Sequence, residues 1–153
     1  MHTLYILCGP SGCGKSTWAK HQQTQRRMAY VSRDEIRFAM LQDNEDYFAH
    51  EKEVFQRFVQ AIAHFLPYDD VLADATHLHQ FSRRKLTHAL DQYQIDYDII
   101  YVVFQTDLDT CLWRNYLREG RARLPEDAIR KMFINFKAPT IDEDSRAKEV
   151  IFV

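Results

Sequence analysis

The chain has 153 residues, 46% of them apolar and 27% charged, with a net charge of −2 at pH 7; this excludes a disordered or fibrous protein and a broad basic footprint for nucleic acid. Its three cysteines, Cys8, Cys13 and Cys111, are an odd number without metal-ligand spacing, and no apolar run approaches the ~20 residues of a membrane span, so a reduced, cytoplasmic single domain over residues 1–153 is expected. Only 4 glycines occur where average usage of about 7% would give about 11, and Gly9, Gly12 and Gly14 share one turn.

Thr3 to Cys8 reads as a strand and Lys15 to Gln25 as the helix after it. Met28 to Ser32 is a second strand, followed by a short helix from Asp34 to Met40 and a polar, acidic loop over 41–49. From His50 to Leu66, Val54, Phe55, Phe58, Val59, Ile62, Phe65 and Leu66 recur at helical spacing until Pro67. Val71 to Ala73 forms a third strand ending at Asp74, and Ser82 to Tyr93 a helix. Ile99 to Phe104 is apolar enough for a strand covered on both faces. Asp107 to Arg118 is helical with Thr106 as its cap, and Gly120 to Leu124 is a loop. Pro125 then opens a helix running to Lys137. Val150 to Val153 closes the series. Trp18, Trp113 and the phenylalanines are assigned to the core. This alternation predicts an α/β three-layer fold around a parallel sheet of about five strands.

Gly9-Pro10-Ser11-Gly12-Cys13-Gly14-Lys15-Ser16 is a complete G-x-x-x-x-G-K-[ST] phosphate loop, standing between a strand and a helix as that motif requires. Its glycines let backbone N–H groups converge on phosphate oxygens, and the helix N-terminus adds its dipole. Lys15 brings a point charge to the β- and γ-phosphates, and the Ser16 hydroxyl suits Mg²⁺. Cys13 contributes its backbone; a lowered thiol pKa at the helix start is a side possibility only.

Three further clusters stand at strand ends or in loops. Asp34 and Arg37 are three residues apart and share a helix face. A carboxylate there can accept a proton from an attacking hydroxyl, and an arginine can hold an acidic substrate group; the plainer alternative is an N-cap Asp34 paired with Arg37. Asp74, after its apolar strand, would hold Mg²⁺ through water or orient Arg37, or else simply begin a turn. His77, His79 and His88 lack the companions of a metal site. Arg114, Arg118, Arg121 and Arg123 oppose a single Glu119 around Gly120, as an arginine-bearing lid over a triphosphate would.

These residues together resemble the P-loop kinase half of phage-type polynucleotide 5′-kinase/3′-phosphatases, within a wider group of small P-loop kinases and zeta-toxin-like phosphotransferases. The resemblance rests on Gly9 to Ala19, Ser32 to Arg37, Asp74-Ala75-Thr76 with Arg83-Arg84, and Arg114-Asn115 through Arg123-Leu124-Pro125. It implies a nucleoside-kinase-like fold, ATP and Mg²⁺ as cofactors, and the 5′-hydroxyl of DNA or RNA as acceptor. Asp34 would be the general base, with Arg37, Asp74 and Thr76 toward the substrate. Arg37 would contact a substrate phosphate and Asp74 would support it. ATP would meet Gly9, Ser11, Gly12, Cys13, Gly14, Lys15, Ser16 and Thr17, with Arg114, Arg118 and Arg121 from the lid and Thr140 near the adenine. Arg118 would act on the transferred phosphoryl group, and Ser16 and Asp74 would serve the metal. His77 and His79 depart from the asparagines usual after D-x-T. No D-x-D-G-T motif follows, so 3′-phosphatase activity is not expected. The competing readings are a small-molecule kinase of the same fold, acting on a nucleoside, sugar, nucleotide-sugar or antibiotic, and a non-catalytic ATP-binding switch.

Overall fold

Along β1 (His2–Cys8), Leu4, Ile6 and Cys8 face one side of a sheet and Leu7 faces the other, the period-2 alternation of a strand covered twice. The computed structural model describes residues 1–153, and its sheet joins β1 to β2 (Ala29–Ser32), β3 (Val71–Asp74), β4 (Tyr97–Val103) and β5 (Ala147–Phe152). All pairs are parallel, in the order β2-β3-β1-β4-β5. On the Leu4 side, α3 (Glu51–Phe65) and α4 (Gln80–Asp91) bury Phe58, Ile62, Leu86 and Leu90 against Val71, Ala73 and Ile99. On the Leu7 side, Ala19 of α1 (Lys15–Gln25), Cys111 of α5 (Leu108–Tyr116) and Ile129 of α6 (Glu126–Asn135) pack with Leu72 and Val102. The predicted three-layer α/β fold with five parallel strands is therefore present.

The departures are local and have physical reasons. Asp107, not Thr106, caps α5, its carboxylate accepting the Thr110 N–H at 2.7 Å; the Thr106 hydroxyl instead donates to the Cys13 carbonyl at 2.8 Å. His79 caps α4 reciprocally with Ser82, so that helix begins two residues earlier than its apolar stripe implied. Pro125 precedes α6 with an extended ψ and stands at its N-cap, and the helix ends at Asn135, where the Lys137 N–H turns to the Leu78 carbonyl. β5 starts at Ala147, three residues ahead of its apolar end. Several aromatics assigned to the core are outside it: Trp113 is 60% exposed and stacks on Tyr116, and Phe48, Phe81 and Phe152 are also exposed. No helix is long and apolar enough to cross a membrane.

Register explains where the chemistry sits. Asp74 pairs with both Leu7 and Ser32, so the residues ending β1, β2 and β3 lie level at the carboxyl edge of the sheet. The strand order turns back beside β1, between β3 and β4, and open α/β sheets form their ligand crevice at the carboxyl edge of such a point. α2 (Arg33–Met40) starts directly from β2, with the Ser32 hydroxyl accepting the Glu35 N–H. Asp34 is thereby free of the capping role and remains in the first turn.

Candidate active site

Above that edge lies an open cavity of about 1020 Å³, lined on one side by Ser11 to Trp18 and on the other by Asp34, Arg37, Phe38, Tyr47, Phe48 and Glu51. Asp74 and Thr76 form part of its floor, and Arg114 and Arg118 reach it from the lid. Gly12 and Gly14 have φ of 85° and 98°, a left-handed conformation that side chains resist, so the loop can curl as it does only with glycine there. Gly14 serves as the N-cap of α1, whose first turn has no side-chain cap and no acidic residue. A ring of open backbone donors at a helix start, shaped by backbone a Cβ would strain, fits a polyphosphate.

The Lys15 ammonium donates to the Gly9 and Pro10 carbonyls at 2.9 Å each and approaches Cys13 Sγ at 3.5 Å. Burial pushes the Cys13 thiol up, with Lys15 only partly offsetting it, so this cysteine is a buried thiol and not an activated one. The Gly9 N–H donates to the Thr76 carbonyl at 2.9 Å: Thr76 braces the phosphate loop from β3. Burial likewise pushes the Asp74 carboxyl up, against the pull of Lys15 and a hydrogen bond from Tyr30 Oη at 2.5 Å. The Ser16 hydroxyl and the Asp74 carboxylate both line the cavity, and hard oxygen donors of this kind suit Mg²⁺, which takes its remaining ligands from phosphates and water.

Across the cavity, Arg37 is buried with four of its five N–H donors engaged. Nε and Nη2 make a two-pronged pair with Glu51 at 2.8 and 2.7 Å, and Nη1 donates to Tyr47 Oη at 2.8 Å and to Asp34. Its guanidinium lies 4.3 Å over the Tyr47 ring. Tyr47 Oη in turn donates to Asp34 Oδ1 at 2.6 Å. Despite the upward push of partial burial, Arg37 holds the Glu51 carboxyl below its ordinary range. Arg37 therefore rests on Glu51, Asp34 and Tyr47, and not on Asp74 as the sequence resemblance implied. Arg33 also reaches Glu51, at 3.4 Å, and lies over the Phe55 ring.

The lid arginines divide. Arg114 donates to the Gly12 carbonyl at 3.0 Å and Arg118 to Ser11 Oγ at 2.8 Å, both on the phosphate loop. Arg121 turns outward and grips the carbonyls of Gln42 and Glu45, and Thr140, whose hydroxyl donates to Asp142, is exposed; neither lines the cavity. Asn115 is an unforeseen participant. Its amide pairs with both backbone groups of Leu124, at 2.8 and 2.9 Å, and so closes the lid at its base. Tyr30, Tyr47 and Glu51 were also missed. The only signal for them was the recurrence of tyrosine and glutamate beside segments already assigned to other purposes. His77 takes the Leu7 carbonyl through Nδ1 at 2.7 Å, and Arg83 is locked to Glu143.

Comparisons with known proteins bear on the fold. No curated protein is similar enough in sequence to match. A fungal RNA kinase superposes with a TM-score of 0.72 at 14% identity, covering 99% of this chain and 38% of its own. A chain of the Pnkp1/Rnl/Hen1 RNA repair complex gives 0.73 at 24% identity, covering 88% of this chain and 43% of its own, and a Sinorhizobium meliloti gluconokinase gives 0.59 at 15%, covering 99% and 82%. The chain thus spans less than half of the fungal RNA kinase and of the repair-complex chain, and at these identities the likeness establishes the fold alone. Residues 4–139 match the profile of the AAA domain family. The chain belongs to that family, as a P-loop protein with a kinase-like fold.

Proposed function

We propose that this protein, as one domain over residues 1–153, transfers the γ-phosphoryl group of ATP to a hydroxyl, and that the acceptor is the 5′-hydroxyl of a DNA or RNA strand. The observation that carries the reading is the placing of Asp34 in the cavity that also holds Lys15, Ser16 and Arg118, its carboxylate oriented by Tyr47 and Arg37. Asp34 Oδ atoms accept the proton as the acceptor oxygen attacks, and the phosphate-loop amides and Lys15 hold the β- and γ-phosphates. Arg118 and Arg114 neutralise charge that grows on the transferred group and its leaving oxygen. Ser16 and Asp74 would hold Mg²⁺, which supplies further neutralisation of the phosphates. Tyr47 and Glu51 act by fixing Asp34 and Arg37.

A second reading has an observation in its favour. Arg37 is already matched by two carboxylates, so the acceptor end offers little free positive charge, and an uncharged sugar-like hydroxyl compound would lose nothing there. Transfer of label from γ-labelled ATP, run in parallel on a 5′-hydroxyl oligonucleotide, free nucleosides and sugars, separates the two. Label on sugars and none on the oligonucleotide rejects the proposal. Polynucleotide transfer should also fall steeply with salt, and small-molecule transfer much less.

A further inference from the structure

The acceptor half of the cavity carries three aromatic rings, and phosphoryl transfer as proposed gives a role to Tyr47 alone. Phe38 and Tyr47 meet edge to face at 5.8 Å, and Tyr47 and Phe48 do so at 4.6 Å, all three lining the cavity with Asp34. The Arg37 guanidinium already covers a face of Tyr47, whereas the edge-to-face contact of Phe48 leaves at least one face of that ring uncovered. Phe48, 53% exposed, is not held there by core packing.

The segment that bears Tyr47 and Phe48 is acidic in sequence, yet Asp43, Glu45 and Asp46 do not line the cavity. Glu45 pairs with His50 at 2.5 Å, and Arg121 fixes the segment through the Gln42 and Glu45 carbonyls. What this stretch offers the acceptor is thus aromatic surface, with its carboxylates directed elsewhere. The polar groups next to that surface are engaged with each other: Arg37 with Glu51, Tyr47 with Asp34. A sugar is recognised through several hydroxyls and would find few free partners here, whereas a nucleobase needs only a π-face.

We infer that Phe48, with Phe38 and Tyr47 behind it, is a stacking wall for the 5′-terminal nucleobase of the acceptor strand. This assigns Phe48 as a substrate-binding residue and rests on the polynucleotide reading. The wall makes the first base, and not only the backbone, a determinant of acceptor affinity.

The test uses two 5′-hydroxyl oligonucleotides that are identical except that one lacks its first base. Each is phosphorylated by the wild-type protein, Phe48→Ala and Phe48→Trp. For wild type, the abasic strand should show a KM raised about 5- to 160-fold, the range that loss of one stacked base gives. Phe48→Ala should raise KM for the intact strand similarly and no longer distinguish the two strands, with KM for ATP unmoved, and Phe48→Trp should restore the distinction. Because Phe48 lies outside the core, the variant tests contact with substrate and not folding. If wild type phosphorylates both strands with equal KM, or if Phe48→Ala discriminates as well as wild type, the wall does not bind the base, although the kinase reading stands. If no oligonucleotide is phosphorylated while sugars are, the polynucleotide reading fails and this inference with it.

Discussion

Glu143→Gln offers a stringent test of how the site is supported. Arg83 on α4 and Glu143, before β5, are 2% and 5% exposed in their side chains. Their pairing is bidentate, with Arg83 Nε to Oε2 at 2.9 Å and Nη2 to Oε1 at 2.8 Å, and Arg83 Nη1 also donates to the His77 carbonyl at 2.9 Å. His77 adjoins Thr76, whose carbonyl holds Gly9 of the phosphate loop, so the pair underlies the nucleotide site. Glu143→Gln leaves a guanidinium buried without a counter-charge, a loss of about 3–5 kcal/mol. Unfolding entropy of about 2.1 cal/mol/K per residue gives a chain of this size about 0.3 kcal/mol/K, so Tm should fall by about 10–15 °C. Replacing both partners with methionine removes the charges together and should cost little, or even stabilise. Calorimetric melting of wild type, Arg83→Met, Glu143→Met and the double variant measures the coupling, with Glu143→Gln melted alongside. A Glu143→Gln loss below about 1 kcal/mol, or a double variant as unstable as the singles combined, would show that the charges are not desolvated as described.

Lys15→Ala should abolish most labelled-phosphate transfer while circular dichroism shows an intact fold; transfer near wild-type rate would remove Lys15 from the phosphate site. Asp34→Asn should lower kcat by about 10²–10⁴-fold, the usual contribution of a general base, and a near-normal kcat would dismiss that role. Arg118→Ala should lower kcat about 10³-fold or more, whereas an effect confined to KM would argue against action on the transferred group. For pH, burial depresses the His77 pKa to about 4 from 6.5, so the unfolded chain binds more protons between those values. The stability that goes with neutral His77 is complete above pH 6.5 and is lost as pH falls toward 4, by at most about 3 kcal/mol. His77→Phe should flatten that part of the denaturation profile, and an unchanged slope would disprove the assignment.

The donor half of the site was legible because its causes are local. Eight consecutive residues dictate the phosphate loop, Gly12 and Gly14 supply backbone angles other residues resist, and alternating strand and helix periods fix the edge where the loop stands. The acceptor half depends on contacts that spacing does not encode. Arg37 finds Glu51 across a loop of ten residues, and Tyr30 reaches Asp74 because β2 and β3 are neighbours in the sheet, a matter of strand order. Asp34 and Arg37 were recognisable as a pair, but not the groups that orient them. Trp113 shows a different limit. Its helical spacing identifies a face of α5 without saying whether another layer covers that face, and none does. The cap of α5 failed by one residue because Thr106 and Asp107 are both capable, and only the Cys13 carbonyl decides between them.

The lid ties these two halves together. Asn115 pins its base at Leu124, Arg118 reaches Ser11 on the phosphate loop, and Arg121 holds the carbonyls of Gln42 and Glu45. The Arg121 contacts are to backbone, so they constrain the course of the 41–49 segment whatever side chains it carries. Tyr47, which orients Asp34, lies two residues beyond Glu45 in that same segment. A displacement of the lid over a triphosphate must therefore either carry the acceptor wall with it or break charge-assisted hydrogen bonds, each ordinarily worth about 1.5–3 kcal/mol and less where water reaches them. On the proposed reading this links engagement of ATP by Arg118 to the position of the base that deprotonates the acceptor. Arg121 then earns its place in the lid without touching a phosphate.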